Sequence, residues 1–247
     1  MDATTLNKII AGSKPLGFGD IMSRSFDLFK KVWLQGFLTL ILTFVCLVPF
    51  YLLLYIPLVF MGISDPDMLG KDKMSTPAII WMAVFLPIIV MAAMVVSIAF
   101  TSAFLRICKQ KDSGATGADD YFFFFKGRYF GKMIVLGLIA FGLSIIGALL
   151  CGVGLLYLIV PLSLIPAFFA FRPEMSPMEI VKAGFQLGNK NWLVIFGLII
   201  VMGIVAELGI ILCGIGILFT AMLSKIPLYF IYKDGVGFNG QNVPLEE

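Results

Sequence analysis

The 247-residue chain contains no histidine at all and has few charged side chains. The lack of histidine excludes His-ligated metal sites, Ser-His and Cys-His catalysis and histidine proton relays. Only 13% of the residues are charged and 60% are apolar, whereas a soluble domain has about a quarter charged residues. The mean hydropathy is +1.02. A water-soluble fold of this length cannot bury that much apolar surface, so the composition predicts a membrane protein.

Six long apolar runs follow one another along the chain. About 20 residues of helix cross the hydrocarbon core of a bilayer, because each residue adds 1.5 Å to a core of about 30 Å. We therefore predict an all-α membrane protein with six transmembrane helices, of which the first two exceed the minimum length. The runs cover residues 33–62, 77–105, 131–150, 153–171, 192–212 and 215–232.

The distribution of positive charge predicts the orientation of these spans. Of the 18 Lys and Arg residues, only Lys71 and Lys73 lie in a loop on the side opposite the chain termini. The positive-inside rule then places both termini in the cytoplasm. The predicted interfacial anchors are Trp33, Trp81 and Trp192. The predicted interfacial cations are Lys30, Lys31, Arg128 and Lys190.

Local motifs recur and predict an internal threefold repeat. Ser176-Pro177-Met178-Glu179 is a helix start with a capping Ser, Pro at the first helical position and Glu two residues later. Lys31-x-Trp33 and Lys190-x-Trp192 are separated by a constant offset, and Leu-Ser-x-Ile-Pro occurs at 162–166 and at 223–227. The predicted repeats, each an amphipathic helix followed by a transmembrane hairpin, cover about 17–106, 116–171 and 176–233. They form one domain, 16–233, between polar tails at 1–15 and 234–247.

The amphipathic helices allow two interpretations. They lie in the headgroup plane, with aromatic rings in the acyl boundary and cations towards anionic lipid, or they cap the cytoplasmic face of the bundle. Parallel repetition of this kind differs from the inverted halves of many secondary transporters.

Glu207 and Lys225 are the two ionisable side chains deepest in the predicted spans. A charge inside a bilayer costs about 2.5–3.5 kcal/mol, so such residues usually face the protein interior and find a partner. We expect an intramembrane ion pair between them. Such a pair either couples transport to the movement of a proton or substrate, or only fixes the register of the helices. As a third interpretation, Glu207 lies near enough to the interface to be hydrated.

The other polar residues of the spans are Ser and Thr, which normally bond the preceding turn of their own helix or a neighbour. Cys151 and Cys213 occupy equivalent outer turns, where they either form a disulfide or serve as small apolar residues. No phosphate-binding loop, metal motif or catalytic constellation is recognisable, so we expect no cofactor, no metal, no nucleic-acid partner and no enzyme activity. The hydroxyl residues are Thr39, Ser97, Thr101, Ser144, Ser163 and Ser224.

Two segments resemble a bacterial group of polytopic membrane proteins. They are Gly19-Asp20-Ile21, with Ser25-Phe26 and Phe29-Lys30-Lys31-x-Trp33, and Ala183-Gly184-Phe185 with Lys190-Asn191-Trp192. The chain is similar over about 16–233 to the membrane domain of some glycerophosphodiester phosphodiesterases and to YciC-like inner-membrane proteins. The resemblance implies a six-span helical fold in the cytoplasmic membrane. It does not imply phosphodiesterase activity, because the soluble catalytic domain has no counterpart here.

The expected function is that of a non-enzymatic membrane protein that engages lipids or a protein partner, or forms a homo-oligomer. The alternative is a transporter or flippase for a small amphipathic solute or lipid, with Glu207 and Lys225 near its path.

Overall fold

The computed structural model describes residues 3–64, 76–115, 117–150, 152–211 and 216–238. Within these ranges the regular structure is entirely helical, which confirms the predicted all-α class. Three short 3₁₀ segments, Phe123–Phe125, Leu208–Ile211 and Ala221–Lys225, interrupt the α-helices. The α-helices are α1 (Ala3–Gly12), α2 (Phe18–Ser64), α3 (Thr76–Asp112), α4 (Gly127–Leu149), α5 (Val153–Phe171), α6 (Pro177–Lys190), α7 (Trp192–Glu207), α8 (Gly216–Thr220) and α9 (Ile226–Gly235).

Five helical segments in the described part of the chain are long and apolar enough to cross a membrane. Large apolar side chains on them face outwards, among them Leu149 at 80% and Leu193 at 78% exposure. A water-soluble monomer does not expose apolar surface on this scale, so the helices present it to lipid. The five segments are Phe18–Phe60, Thr76–Asp112, Gly127–Leu149, Val153–Phe171 and Trp192–Ile210.

The sixth predicted span is not one regular helix. α8, the 3₁₀ segment Ala221–Lys225 and α9 follow one another from residue 216 to residue 235. Pro227 explains the break, because proline has no N–H to donate to the carbonyl of Leu223 four residues earlier. The N–H of Ile226 donates to that carbonyl instead, which tightens the turn into 3₁₀ geometry.

The predicted division of each repeat into an amphipathic helix and a span differs between the three units. In the first unit, α2 runs without a break from Phe18 to Ser64. In the second unit, the 3₁₀ turn Phe123–Phe125 stands where a short helix was predicted. Only in the third unit does a separate helix, α6, precede a span. The first unit therefore carries its aromatic residues on a continuous helix, and the second carries them on a turn.

The predicted helix start at Ser176 is confirmed. The Ser176 hydroxyl accepts from the Glu179 N–H, and the Glu179 carboxylate accepts from the Ser176 N–H at 2.8 Å. These bonds from the backbone and hydroxyl of Ser176 lower the pKa of Glu179. The cap's contribution to stability is thus present above the ordinary pKa of a glutamate and is lost as the pH falls through the lowered value.

α5 is the central helix of the bundle. In its most apolar stretch 56% of the residues are buried, against 17–28% in the other four spanning segments. Gly152, which precedes α5, has a positive φ of 78°, the left-handed conformation that glycine adopts without a steric penalty. This residue allows the chain to reverse between α4 and α5, which places α5 beside α3 and α4.

Charged side chains join the helices at one end of the bundle, which we call the basic end. Arg24 near the start of α2 bonds Asp234 at the end of α9 through both carboxylate oxygens. The Lys132 ammonium donates to the backbone carbonyls of Pro173, Glu174 and Met175, which follow α5, at 2.9–3.0 Å. The same end also carries the last residue of α3, Asp112, bonded to α9.

The N-terminal segment is a packed helix, where a polar tail over 1–15 was predicted. Leu6, Ile9 and Ile10 of α1 are buried, at 1–3% exposure. The Lys190 ammonium donates to the carbonyls of Ile10, Ala11 and Ser13 at 2.5–2.8 Å. α1 ends here, so its last carbonyls lack the usual i+4 donors, although the Ile10 carbonyl also accepts from Ser13; a cation opposite them complements the helix dipole. Of the predicted C-terminal tail, residues 239–247 lie outside the described ranges.

Replacing Lys190 by Met should release α1 from α6. The substitution removes the donors to three carbonyls, so we expect amide hydrogen exchange in residues 3–12 to become at least tenfold faster while exchange in α5 is unchanged. Lys182→Met is the matched control, because Lys182 is an exposed lysine on the same helix. Equal exchange of α1 in both variants would show that the Lys190 bonds do not hold it.

Candidate ligand cavity in the helix bundle

A cavity of about 600 Å³ lies among α3, α4, α5 and the start of α9. Its size falls within the range of small-molecule sites. Most of its wall is apolar, and Val90, Leu155 and Ile159 on the wall are 40–44% exposed, so the cavity opens through the side of the bundle. A molecule in the bilayer can therefore enter without crossing an aqueous route. The polar groups of the wall come from Ser97, Thr101, Ser144, Ser163 and Lys225.

The two Leu-Ser-x-Ile-Pro motifs contribute to this cavity. Leu162, Ser163 and Pro166 of the first motif lie on the wall, as does Lys225, which occupies the variable position of the second. Pro166 leaves the Leu162 carbonyl without its usual helical donor. The Ser102 hydroxyl donates to the Pro166 carbonyl at 2.9 Å and thereby ties α3 to α5 at the wall. The proline thus leaves a backbone acceptor free at the wall, and the Ser102 bond joins two of the helices that form the cavity.

The cavity hydroxyls fall into two groups. Ser144 and Ser163 donate back to their own helices, at 2.8 Å and 2.7 Å, as predicted from the sequence. Ser97 and Thr101, one helical turn apart on α3, make no hydrogen bond within the described part of the chain. These two hydroxyls are free to bond a ligand. Ser97 and Thr101 thus differ from the usual behaviour of helical hydroxyls, which bond the preceding turn or a neighbour.

Lys225 supplies the only charge among the cavity residues. Lys225 is the last residue of the 3₁₀ segment. It precedes Lys233, which bonds Asp112 at the basic end, by eight residues and thus lies about 12 Å along the helix from that end. Within the described ranges its ammonium has no hydrogen bond and no ion pair. An unpaired ammonium in an apolar cavity is costly. The site therefore favours an occupant that brings a negative charge.

The structure does not bring Glu207 to Lys225. Glu207 is the last residue of α7, its side chain is exposed, and it is not on the cavity wall. No ion pair joins the two among the residues that the structure describes. Glu207 stands where the helix ends, so its carboxylate can be hydrated there. This arrangement matches the third interpretation of Glu207 and leaves Lys225 as the charge of the cavity.

The predicted anchors and interfacial cations have different surroundings. Trp192 stacks on Phe196 at 4.6 Å and donates to the Tyr157 carbonyl at 3.2 Å, which Pro161 leaves without a helical donor. Trp33 lies 5.9 Å from the Phe219 ring, and Trp81 stacks on Phe85 at 4.0 Å. Among the cations, Lys31 and Arg128 are exposed and Lys30 pairs with Asp27, whereas Lys190 caps α1 instead of facing lipid.

No cysteine of the described ranges is on the cavity wall. Cys46 and Cys108 are free thiols, and Cys108 is fully buried. Cys151 and Cys213, for which a disulfide was considered, lie outside the described residues. In the described ranges no group of three or more Cys, Asp or Glu residues is placed to hold a metal ion.

The long apolar helices define an α-helical membrane protein, and the bundle contains a laterally open cavity. Comparisons with protein-family models, with curated proteins and with solved structures find no match to this chain.

Proposed function

We propose that this protein is a non-enzymatic membrane protein that binds an anionic amphiphile, a fatty acid or an anionic lipid, in the cavity. The ligand's charged group lies against the Lys225 ammonium and its hydrocarbon chain along the apolar wall. The observation that carries the proposal is the unpartnered ammonium inside a cavity that opens towards lipid. Ser97 and Thr101 add donors for the ligand's remaining oxygens.

The energetics support this occupant. An ammonium with no partner loses its hydration and receives nothing in return, whereas a carboxylate or phosphate restores a charge-assisted bond of about 1.5–3 kcal/mol. A neutral apolar ligand would fill the cavity but leave the Lys225 ammonium unpaired. We assign no catalytic role, since the wall residues offer one titratable side chain and no carboxylate to act with it.

The proposal includes six crossings with both termini cytoplasmic, in the inner membrane of a bacterium. α8, the 3₁₀ segment and α9 together cover residues 216–235, which at about 1.5 Å per α-helical and about 2 Å per 3₁₀ residue gives roughly 30 Å. That length is sufficient for a sixth crossing. The bonds of Arg24 to Asp234 and of Lys190 to α1 fit two termini on one side. The threefold repeat remains part of the proposal, as does a protein partner or a second copy.

Lys225→Met should abolish the preference of the cavity for an acid. With the full chain in zwitterionic nanodiscs, we expect wild type to bind a fluorescent long-chain fatty acid about ten to one hundred times more tightly than the corresponding alcohol. The variant should bind the two equally, and Lys225→Arg should restore most of the preference. Binding is measured by titration, with the melting temperature of each variant as the check on folding.

Two controls make this experiment decisive. Glu207→Gln changes the other intramembrane charge, lies outside the cavity and should leave the acid-to-alcohol ratio unchanged. Lys182→Met removes an exposed charge from α6 and should do the same. A folded Lys225→Met protein that keeps the wild-type preference for the acid would refute the proposal.

A transporter or flippase is the second candidate function. The observation that favours it is the position of the cavity among spanning helices, with Lys225 about 12 Å inward from the basic end. Proteoliposomes that move a labelled anionic amphiphile between leaflets, with movement lost in Lys225→Met, would establish transport. Binding without such movement would support the non-transporting form.

A further inference from the structure

A second, smaller cavity of about 380 Å³ lies at the basic end, between the end of α3, the end of α5 and the loop before α4. Its wall includes Arg106 and Lys109, which stand in the last two turns of α3. They are about 9 Å and 5 Å from the end of the helix, at the level where it leaves the membrane. We call this cavity the Arg106 pocket. It shares no wall residue with the cavity at Lys225.

The Arg106 pocket carries positive charge that the described residues do not neutralise. Neither Arg106 nor Lys109 has an ion pair or a hydrogen bond to its side chain within those ranges. Asp120 is the only carboxylate on the wall; it attracts Arg106, but it is bonded to Lys126 at 2.5 Å and offsets the charge of Arg106 only in part. Arg172 is close enough to repel Lys109 and is itself bonded to Glu174 and Tyr232. An excess of positive charge therefore remains in a half-enclosed space.

Aromatic rings hold the two cations in place without using their donors. The Arg106 guanidinium stacks on the Phe123 ring at 3.7 Å, and the Lys109 ammonium lies 4.1 Å from the centre of the Phe238 ring. Stacking occupies the face of a guanidinium and leaves the N–H groups at its edge available. A fork of donors beside an ammonium matches an anion with several oxygens.

We propose that the Arg106 pocket binds a phosphate group in its dianionic form, with two oxygens on the Arg106 edge and one on Lys109. A terminal phosphate group carries a charge of about −1.5 to −2 at pH 7, which complements the two cations of the pocket. The dianion is the headgroup of a lipid such as phosphatidic acid or a free phosphate from the cytoplasm. Basic pockets between helices at this level of the membrane suit anionic headgroups.

The test compares the two sources in the full chain. Wild type and the double variant Arg106→Gln/Lys109→Gln are placed in nanodiscs of phosphatidylcholine alone, with and without added inorganic phosphate, and in nanodiscs with 10% phosphatidic acid. Native mass spectrometry counts bound phosphatidic acid, and the melting temperature reports phosphate. We expect the double variant to lose at least tenfold in affinity for the source that binds.

Three further variants make the outcome interpretable. Lys109→Gln alone retains the Arg106 stack and should weaken binding several-fold in a protein that melts like wild type. Arg106→Lys retains the charge without the fork and should bind with intermediate affinity. Lys225→Met should leave this binding unchanged, since Lys225 lies in the other cavity. Retention of phosphatidic acid by wild type supports a lipid headgroup as the source, and a rise in its melting temperature with phosphate supports free phosphate. The proposal is overturned if wild type shows neither effect. It is also overturned if the Lys109→Gln protein binds as tightly as wild type.

Discussion

Gly137→Ala should destabilise the protein strongly, because α3 and α4 touch at this glycine. A Cβ atom at residue 137 would lie 2.2 Å from Cγ2 of Val95 and 3.2 Å from its Cα. Val95 is β-branched and buried, so its side chain has no alternative position and the helices must separate. We expect a loss of about 2 kcal/mol, measured as a fall of roughly 4–8 °C in melting temperature.

Gly142→Ala on the same helix is the matched control. A Cβ atom there meets nothing within 4 Å. The better helix propensity of alanine should leave the stability unchanged or raise it by up to about 1 kcal/mol. Ala140 and Ser144 of α4 lie on the cavity wall, so Gly137→Ala should also weaken the binding of the fatty acid. Equal melting temperatures for the two variants would mean that α3 and α4 do not pack at Gly137.

Asp112→Asn should release α9 from the end of α3. One oxygen of Asp112 accepts from the Tyr229 hydroxyl and from the Lys233 ammonium, both at 2.6 Å. The Asp112 side chain is 24% exposed, so solvent screens the bonds only in part. We expect a loss of about 2 kcal/mol, seen as a lower melting temperature and as faster amide exchange in α9.

Asp27→Asn tests the same chemistry on the surface. Asp27 pairs with Lys30 at 2.8 Å, but the two side chains are 68% and 74% exposed. Solvent screens an exposed pair of this kind, so the variant should melt like the wild type. If Asp112→Asn were as stable as Asp27→Asn, the link between α3 and α9 would not contribute to the fold.

The candidate site was only partly visible in the sequence. Lys225 stood out because a charge in an apolar run is rare, and the structure gives it a cavity. Glu207 was expected to be its partner only because the two residues have similar predicted depths in the membrane. The depth of a residue gives its position along the bilayer normal, but it does not indicate whether the residue faces the protein or the lipid. Ser97 and Thr101 could not be told from other helical hydroxyls, since their freedom from intrahelical bonds depends on rotamer and neighbours.

The cations at the basic end show the same limit. The sequence counts Arg106, Lys132 and Lys190 alike as positive charges on one side of the membrane. The structure uses Lys132 and Lys190 to cap backbone carbonyls, whereas Arg106 lies on the wall of a pocket whose one carboxylate, Asp120, is bonded to Lys126. Which carbonyl, ring or carboxylate lies within reach of a long side chain is decided by elements far away in the chain. No local pattern contains that information.

Composition and periodicity alone determined the helical membrane class, the five spans that the structure bears out and the cap at Ser176. Each of these depends on transfer of apolar residues to lipid or on bonds between near neighbours, both of which are local properties. Tertiary packing decided that α2 is continuous, that residues 3–12 form a docked helix and that Lys225 faces a cavity. Those outcomes depend on contacts between distant segments, such as Lys190 with α1, which exist only once the helices have packed.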